Sequence, residues 1–449
     1  MNFENARNNS PKSFFINTYG CQMNSRDSEN MTALLKQSGF LRSNAQNEAD
    51  IIIFNTCCVR GSAEDKFFGH LSRLKPVKTK NPSLIIAVSG CMSQQEEVKE
   101  LIENKYPYVD IVIGTGNRHL LPEYIKDVAK IGKKTYDIAG MDNMPANNDF
   151  DKTIRDEPHK AGINIMYGCD NFCSYCIVPY VRGRERSRPP NDICNEADLL
   201  ARDGVKEIML LGQNVNAYGK HQSEKNFPEL IRSLSDINGL KRIRFMTSHP
   251  RDFSDELIFA IRDLPKMCKH VHLPLQAGST KVLADMNRGY TKENYLALVS
   301  KIKTEITNVA ITTDIIVGYP GETDEDFLDT LDVASKAEFA GAFTFIYSKR
   351  SGTPAANRKD TVADKIKSRR FEELTNNLYP TFLRFNQRKL GHVFEVMVEE
   401  NKGGGNYKGR TDDHSLVNFF ASKTLEPGEI VPVKITEAKT FYVLGEAYD

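Results

Sequence analysis

The sequence predicts a three-part α/β chain: an N-terminal doubly wound parallel sheet, a central partial β/α barrel and a small C-terminal antiparallel β-barrel. Three patterns predict it. From Phe14 to about Ile125, short apolar runs (FFINTYG, DIIIFNT, SLIIAVSG, VDIVIG) alternate with amphipathic stretches, the rhythm of a parallel sheet with crossover helices. From Ala161, strand-like runs are again each followed by a helical pattern, and after Arg370 the runs become short, alternating and punctuated by Gly, Pro and Asp.

The central runs are AGINIMYG, VKEIMLLGQ, LKRIRFMTS, CKHVHLPLQ, ITTDIIVGYP and GAFTFIYS. Six strand-helix units make an incomplete barrel, and loops at the strand C-termini are where such a barrel builds its site. The charged helical run FEELTNNLYPTFLRFNQRKL then leads into VFEVMVEE, GNYKGRTDD, SLVNFFAS, EIVPVKITEA and FYVLGEA, a small antiparallel barrel in which Gly403 to Gly405 reads as a hairpin turn. The polar stretch KKTYDIAGMDNMPANNDFDKT reads as a linker. The expected limits are 12–130 for the first domain, 131–160 for the linker, 161–382 for the barrel and 383–449 for the terminal domain.

Composition narrows the classes. The chain has 449 residues, 40% hydrophobic and 27% charged, which suits a globular protein and excludes a disordered or collagen-like one. A net charge of +1 means that any nucleic-acid surface is a local basic patch. No run reaches the roughly 20 apolar residues of a membrane span, and the N-terminus MNFENARNNSPKS lacks a signal-peptide core, so no membrane association and a cytoplasmic location are expected. Nine cysteines in such a compartment point to metal or redox chemistry, because a reducing medium disfavours disulfides.

Cys169, Cys173 and Cys176 stand as C-x3-C-x2-C on the loop after AGINIMYG. Thiolates hold iron-sulfur clusters, and three ligands leave one iron of a 4Fe-4S cluster open. Zinc would want a fourth Cys or His nearby, and none stands close in sequence. Cys21 (TYGC), Cys57 (NTC) and Cys91 (VSGC) each follow one of the first three long apolar runs. In a doubly wound sheet those strand ends share one edge, the edge where ligands bind, so a second three-cysteine cluster is expected there. A core role is the plainer reading for any one cysteine alone. Cys58, next to Cys57, is read as a small hydrophobe, and Cys194 and Cys268 are read as structural.

With Tyr175 just before the last cysteine, the triplet resembles the signature of the radical S-adenosylmethionine (SAM) superfamily. The resemblance implies that the open iron chelates the methionyl end of SAM and that reduction cleaves SAM to a 5′-deoxyadenosyl radical. Gly212, Gln213 and Asn214 are placed like a family segment that contacts the SAM amine, and Val317, Gly318 and Pro320, around Tyr319, like one near the adenine. Glycine at strand ends also has a purely structural reading.

TYGCQMN, NTCxVR and SGCM resemble the first domain of the methylthiotransferase branch, which implies an auxiliary 4Fe-4S cluster carrying the sulfur to be delivered. The last region, with GNYKGRTDD and LEPGEIVPVKI, looks like an RNA-binding TRAM domain. There Lys402, Lys408, Arg410, Lys434 and Lys439 are candidates for phosphate contacts. Scattered surface lysines are the bland alternative, and of Phe419 and Phe420 at least one belongs in the core. Arg182, Arg184, Arg186 and Arg188, alternating in VRGRERSR, would point four guanidinium groups one way if extended, towards RNA or the acidic end of SAM. GQNVNAYG, PYVRGRERSR and HLPLQAGSTKVLADMNRGYT look most like the MiaB type of this family. That implies methylthiolation of carbon 2 of an isopentenyl-adenosine beside the anticodon of tRNA, two SAM per turnover and a low-potential electron donor, from a chain expected to be a monomer. Enzymes acting on threonylcarbamoyl-adenosine or on an aspartate of a ribosomal protein share the six cysteines, and a non-catalytic iron-sulfur RNA sensor is a further alternative. His249 and His272 sit at strand ends, where a structural hydrogen bond is the default.

Overall fold

The computed structural model describes residues 13–58, 61–138, 154–220 and 225–448. The chain forms two compact units. The first runs to Asp156 and includes Tyr167–Asp170 and Cys176–Glu185; the second comprises Glu157–Met166, Asn171–Tyr175 and everything from Arg186.

The first unit contains β1 (Ser13–Thr18), α1 (Gln22–Gln37), β2 (Leu41–Arg42), β3 (Ile51–Thr56), α2 (Gly61–Lys80), β4 (Ile85–Gly90), α3 (Glu96–Lys105), β5 (Ile111–Ile113), α4 (Leu121–Ile131) and β6 (Thr135–Asp137). Its sheet is parallel throughout, in the order β2-β1-β3-β4-β5-β6. β3 and β4 are buried along their whole length because helices cover both faces, so they read as continuous apolar runs. Each fully buried Ile of that sheet is worth about 1.5–3 kcal/mol. Strand order reverses between β1 and β3, the crevice where doubly wound folds place ligands. Thr135–Asp137, inside the stretch read above as linker, pairs with β5 and carries the sheet past residue 130. The Tyr136 hydroxyl donates to Val109 O at 2.9 Å and anchors it. Residues 139–153 of that stretch lie outside the described residues.

The chain continues through β7 (Lys160–Asn164), β8 (Met166–Tyr167), α5 (Val178–Arg182), β9 (Arg186–Ser187), α6 (Pro190–Arg202), β10 (Glu207–Leu211), α7 (Phe227–Ser235), β11 (Arg242–Phe245), α8 (Asp255–Asp263), β12 (His270–His272), α9 (Thr280–Asp285), α10 (Lys292–Glu305), β13 (Ala310–Val317), α11 (Asp324–Ala337), β14 (Gly341–Ile346) and α12 (Asp364–Gln387). β7, β10 and β11 form one parallel sheet and β12, β13 and β14 another. A parallel bridge from Ile243 to Met267 lies where the two meet, giving the open six-stranded barrel expected. Its core joins Ile163, Ile208, Ile243, Val271, Ile311 and Phe339. Capping boxes start several helices, as at Thr323 with Asp326, each cap worth about 1 kcal/mol.

α12 runs through residues 382 and 383 and hands over to β15 (Val393–Gly403), β16 (Asn406–Arg410), β17 (Leu416–Phe420), β18 (Ile430–Ala438) and β19 (Val443–Ala447). These close a barrel in the order β15-β16-β17-β19-β18, with the hairpin turn at Gly404 and Gly405. One feature differs from the antiparallel expectation: β17 and β19 pair in parallel. A closed ring of five strands cannot alternate direction all the way round, so at least one pair must run parallel. The barrel rests on the N-terminal ends of the central strands. Arg242 donates to Glu395 O and Arg410 O, each at 2.8 Å, and Arg244 donates to Thr411 O at 2.7 Å and pairs with Glu207 at 2.9 Å. His270 stacks on His414 with ring centroids 5.0 Å apart.

Candidate functional site

The cysteines of the first unit stand where the strand pattern placed them. Cys21 precedes α1 and is its N-cap, Cys57 follows β3 and Cys91 follows β4, all at the carboxyl edge of the sheet. Two tight glycine positions bring them together. Gly20 has φ +114°, and a Cβ there would meet Cys57 Sγ at 2.6 Å; Gly90 has φ +110°, and a Cβ there would meet Thr56 O at 2.3 Å. Side chains are excluded at both, so the backbone can close around the thiols. Cys57 and Cys91 are buried, Cys21 is exposed, and none of the three is in a disulfide.

Charge at this edge favours thiolates. A hydrogen bond from Cys57 brings Cys21 down to about 6 against the opposing effect of burial, with Arg182 adding to the pull. A hydrogen bond from Cys58 brings Cys91 down to about 7, again against burial and again helped by Arg182. Cys58 is itself pushed well up, first by that hydrogen bond and then by burial, and it packs with Phe54 and Phe67 in the core. It is thus a neutral donor beside Cys91, a contact its reading as a small hydrophobe did not include. Among the described residues, no three His, Cys, Asp or Glu side chains close around a single metal ion. A multi-iron cluster sets a different requirement, since each thiolate binds its own iron and the sulfurs stay apart. Three thiols in one cradle, two of them held low, fit such a body.

Arg182 is the guanidinium of this site. Sequence alternation, if the segment is extended, points it the same way as Arg184, Arg186 and Arg188, and the structure does otherwise. Pro179 opens the short helix α5, Gly183 at φ +78° ends it, and Val181 is buried in the core of β3 and β4. Arg182 is therefore turned inward, donating to Cys91 Sγ from Nε at 3.0 Å and from Nη2 to Asn24 Oδ1 at 2.8 Å and Asp27 Oδ2 at 2.9 Å. Arg188 is buried as well, paired with Glu196 at 2.8 Å and donating to Asn164 O at 2.6 Å. Arg184 is exposed and bonds Asp170 at 2.9 Å, while Arg186 is half-buried in β9. The four do not share one face because the segment is helix, turn and strand in succession.

The loop 169–176 carries the second trio. Cys169 and Cys173 are buried and Cys176 is half-buried. Cys169 N donates to Gly183 O at 3.2 Å. In the second unit, Asn287 Nδ2 donates to Asn171 O at 3.0 Å and Phe172 O at 3.1 Å, and Ser174 Oγ donates to Asp285 O at 2.8 Å. These bonds hold Phe172 at φ +45°, a left-handed backbone that only a well-braced loop keeps. Arg288 Nη1 donates to Cys173 Sγ at 3.3 Å, and Tyr175 packs against the cluster of Ala277, Val282 and Tyr319. Asn287 and Arg288 stand in MNRGYT, a stretch whose individual residues had no assigned role.

The remaining candidates lie on neighbouring strand ends. Gly212 and Asn214 are buried and Gln213 is half-buried after β10. Asn214 Nδ2 donates to Asp252 Oδ2 at 2.9 Å while its Oδ1 is buried without a partner among the described residues. Val317, the last residue of β13, and Gly318 and Pro320 after it are buried, with Gly318 N donating to Glu322. His249 Nδ1 accepts from Arg251 N at 3.2 Å, and burial followed by the charge of Arg288 pushes it down to about 2, so the ring is neutral. His272 lies 3.0 Å from Thr312 Oγ1 through Nδ1. In the terminal barrel Phe419 is core and Phe420 exposed; Lys408 pairs with Glu400 at 3.4 Å, and Arg410 with Glu399 at 3.3 Å.

Family models match three stretches: the TRAM domain over 387–448, the radical SAM superfamily over 163–334, and the uncharacterized protein family UPF0004 over 13–114. A tRNA-2-methylthio-N(6)-dimethylallyladenosine synthase of Clostridium tetani is 48% identical over 454 residues, spanning 99% of this chain and 98% of the relative. The chain belongs to the tRNA-2-methylthio-N(6)-dimethylallyladenosine synthase family. A synthase of the same name from Clostridium novyi is 49% identical, with 98% of each chain covered. Two solved structures resemble the fold. The radical SAM methyltransferase TsrM of Kitasatospora setae, with cobalamin and a [4Fe-4S] cluster bound, has a TM-score of 0.56 at 16% identity and covers 77% of each chain. The cobalamin-dependent radical enzyme OxsB has a TM-score of 0.52 at 12% identity, covering 83% of this chain and 57% of its own. At those identities they match this chain in fold alone. No helix among the described residues is long and apolar enough to cross a membrane.

Proposed function

We propose that this chain places a methylthio group on carbon 2 of an isopentenyl (dimethylallyl) adenosine beside the anticodon of tRNA, consuming two SAM per turnover. The observation that carries this is a nearly full-length match to synthases of that name in a chain that sets thiols at three strand ends of one sheet and three more on one barrel loop. Cys21, Cys57 and Cys91 would hold one 4Fe-4S cluster and Cys169, Cys173 and Cys176 the other, each with one iron left open. When bound, the loop cluster supplies reductive cleavage of SAM to a radical, and the sheet cluster a site for the sulfur to be transferred.

The protein's own residues arrange this chemistry. Asn287 and Ser174 fix the loop backbone, and Arg288 sets a positive charge on Cys173. Asn214 Oδ1, a buried acceptor with no partner among the described residues, suits the ammonium of SAM. Gln213 and the buried turn Val317, Gly318 and Pro320 complete the strand ends where SAM would lie, next to Tyr175. On the RNA side, Lys408 and the exposed Lys402 and Lys434 suit phosphates, and Phe420 offers a ring on which a base can stack. Arg410, tied to Glu399 and His414 O, serves the barrel's own structure. A target base must leave its stack to be modified. We read the protein as a cytoplasmic monomer served by a low-potential one-electron donor, a setting that suits nine cysteines kept reduced.

Competition binding tests the substrate. Isopentenylated anticodon stem-loops should displace labelled tRNA, whereas threonylcarbamoylated stem-loops and a ribosomal-protein peptide should not. Displacement by the peptide alone would move the reading to protein modification.

A further inference from the structure

Asp27 is a fully buried carboxylate shared by two buried guanidinium groups, Arg118 and Arg182. It stands on α1, the helix that Cys21 caps, while Arg182 arrives from α5, and Asn24 of the same helix accepts a further bond from Arg182. Both guanidinium groups converge on Asp27 Oδ2, and the Arg182 Nε proton is spent on Cys91 Sγ at 3.0 Å. Burying such a set is costly unless it meets another negative charge. For Arg182, the sulfur of Cys91 is such a partner.

We infer that Arg182 is a positioning residue that sets the reduction potential of the group held by Cys21, Cys57 and Cys91, with Asp27 as its counterweight. The inference rests on the reading of those cysteines as cluster ligands. Hydrogen bonds and positive charge at a ligand sulfur favour the more negative, reduced state, so Arg182 raises the potential. Asp27 offsets part of that charge and lowers it. The two residues therefore act in opposite directions, although both belong to one network, and a purely structural role would not give opposite signs. Arg118 meets the same Asp27 Oδ2 as Arg182 and helps to keep the carboxylate ionised, since burial alone would raise it while Arg118 and then Arg182 hold it low.

The test uses the full chain with Cys169, Cys173 and Cys176 all replaced by Ala, so that one cluster remains. It is reconstituted with iron and sulfide and titrated with dithionite under electron paramagnetic resonance. In this background Arg182→Gln should cut the reduced-to-oxidised ratio at the parent midpoint at least tenfold, about 59 mV for one electron. Asp27→Asn should shift the midpoint upward, and Arg182→Lys should recover part of the Arg182→Gln loss. If Arg182→Gln fails to load iron, the upward shift in Asp27→Asn still decides. Unchanged midpoints, or shifts of the same sign in both variants, would overturn the inference while leaving the ligand reading intact. A parent that loads no cluster would instead overturn the ligand reading, and the inference with it.

Discussion

Arg288 Nη1 lies 3.3 Å from Cys173 Sγ, and the rest of its guanidinium is spent on the Tyr290 hydroxyl and Pro274 O, each at 3.1 Å. The cation is buried, so its charge reaches the sulfur with little screening by solvent. Loss of a group that orients a metal ligand costs about 10- to 100-fold in affinity or activity. Arg288→Gln should lower 5′-deoxyadenosine production by about that factor, measured anaerobically with SAM and dithionite. Undiminished production would show that the contact is only packing.

The two trios should separate by function. Cys173→Ala is expected to abolish SAM cleavage and to lose roughly half of the bound iron. Cys91→Ala is expected to lose a similar share of iron, to keep cleaving SAM and to transfer no sulfur. Iron analysis together with 5′-deoxyadenosine and nucleoside yields checks both, and methylthiolation by the Cys91 variant would refute the role given to the sheet cysteines.

Gly90 should tolerate no side chain. With φ at +110° and a Cβ position 2.3 Å from Thr56 O, Gly90→Ala combines backbone strain with overpacking and should cost about 2–4 kcal/mol. Gly39, at φ +92° with nothing among the described residues within 4 Å of its Cβ position, should cost about 1–2 kcal/mol when changed to Ala. Urea unfolding of the two variants measures the difference, and equal costs would mean that the Thr56 contact relaxes freely.

Acid should loosen the seat of the terminal barrel. Burial first, and then the charge of Arg244, pushes His270 down to about 3, so the folded protein holds it neutral. An unfolded chain with an ordinary His near 6.5 takes up a proton between those values. The stability due to neutral His270 is complete above pH about 6.5 and is lost as pH falls towards about 3, at up to about 1.4 kcal/mol per pH unit. The thermal midpoint should fall between pH 7 and 5.5, and by less in His270→Gln. The same slope in both proteins would contradict this account.

What was legible in the sequence was what depends on local pattern. IIIFNT and IIAVSG read as buried parallel strands, the six central runs read as a barrel, and three cysteines at equivalent strand ends read as one edge. Phe419 and Phe420 divided between core and surface as alternation requires. What depends on distant partners was not legible. Arg182 meets Cys91 across 91 positions and Asp27 across 155, so nothing local marks it as buried. Pro179 before it and Gly183 after it are helix start and stop signals, and they override the alternation that suggested an extended arginine face. Asn287 and Arg288 brace the loop at Asn171 to Cys173 from more than a hundred residues away, and the parallel closure of the last barrel follows from a count of strands, not from any strand's composition.

The most direct test of the central claim is turnover. The reconstituted full-length protein is incubated anaerobically with reductant, SAM, a sulfide source and isopentenylated tRNA, and the digested nucleosides are read by mass spectrometry. The account predicts a methylthio-isopentenyl-adenosine peak that depends on SAM and disappears in both the Cys91→Ala and Cys173→Ala proteins. SAM cleavage with the isopentenyl nucleoside left unmodified would contradict it.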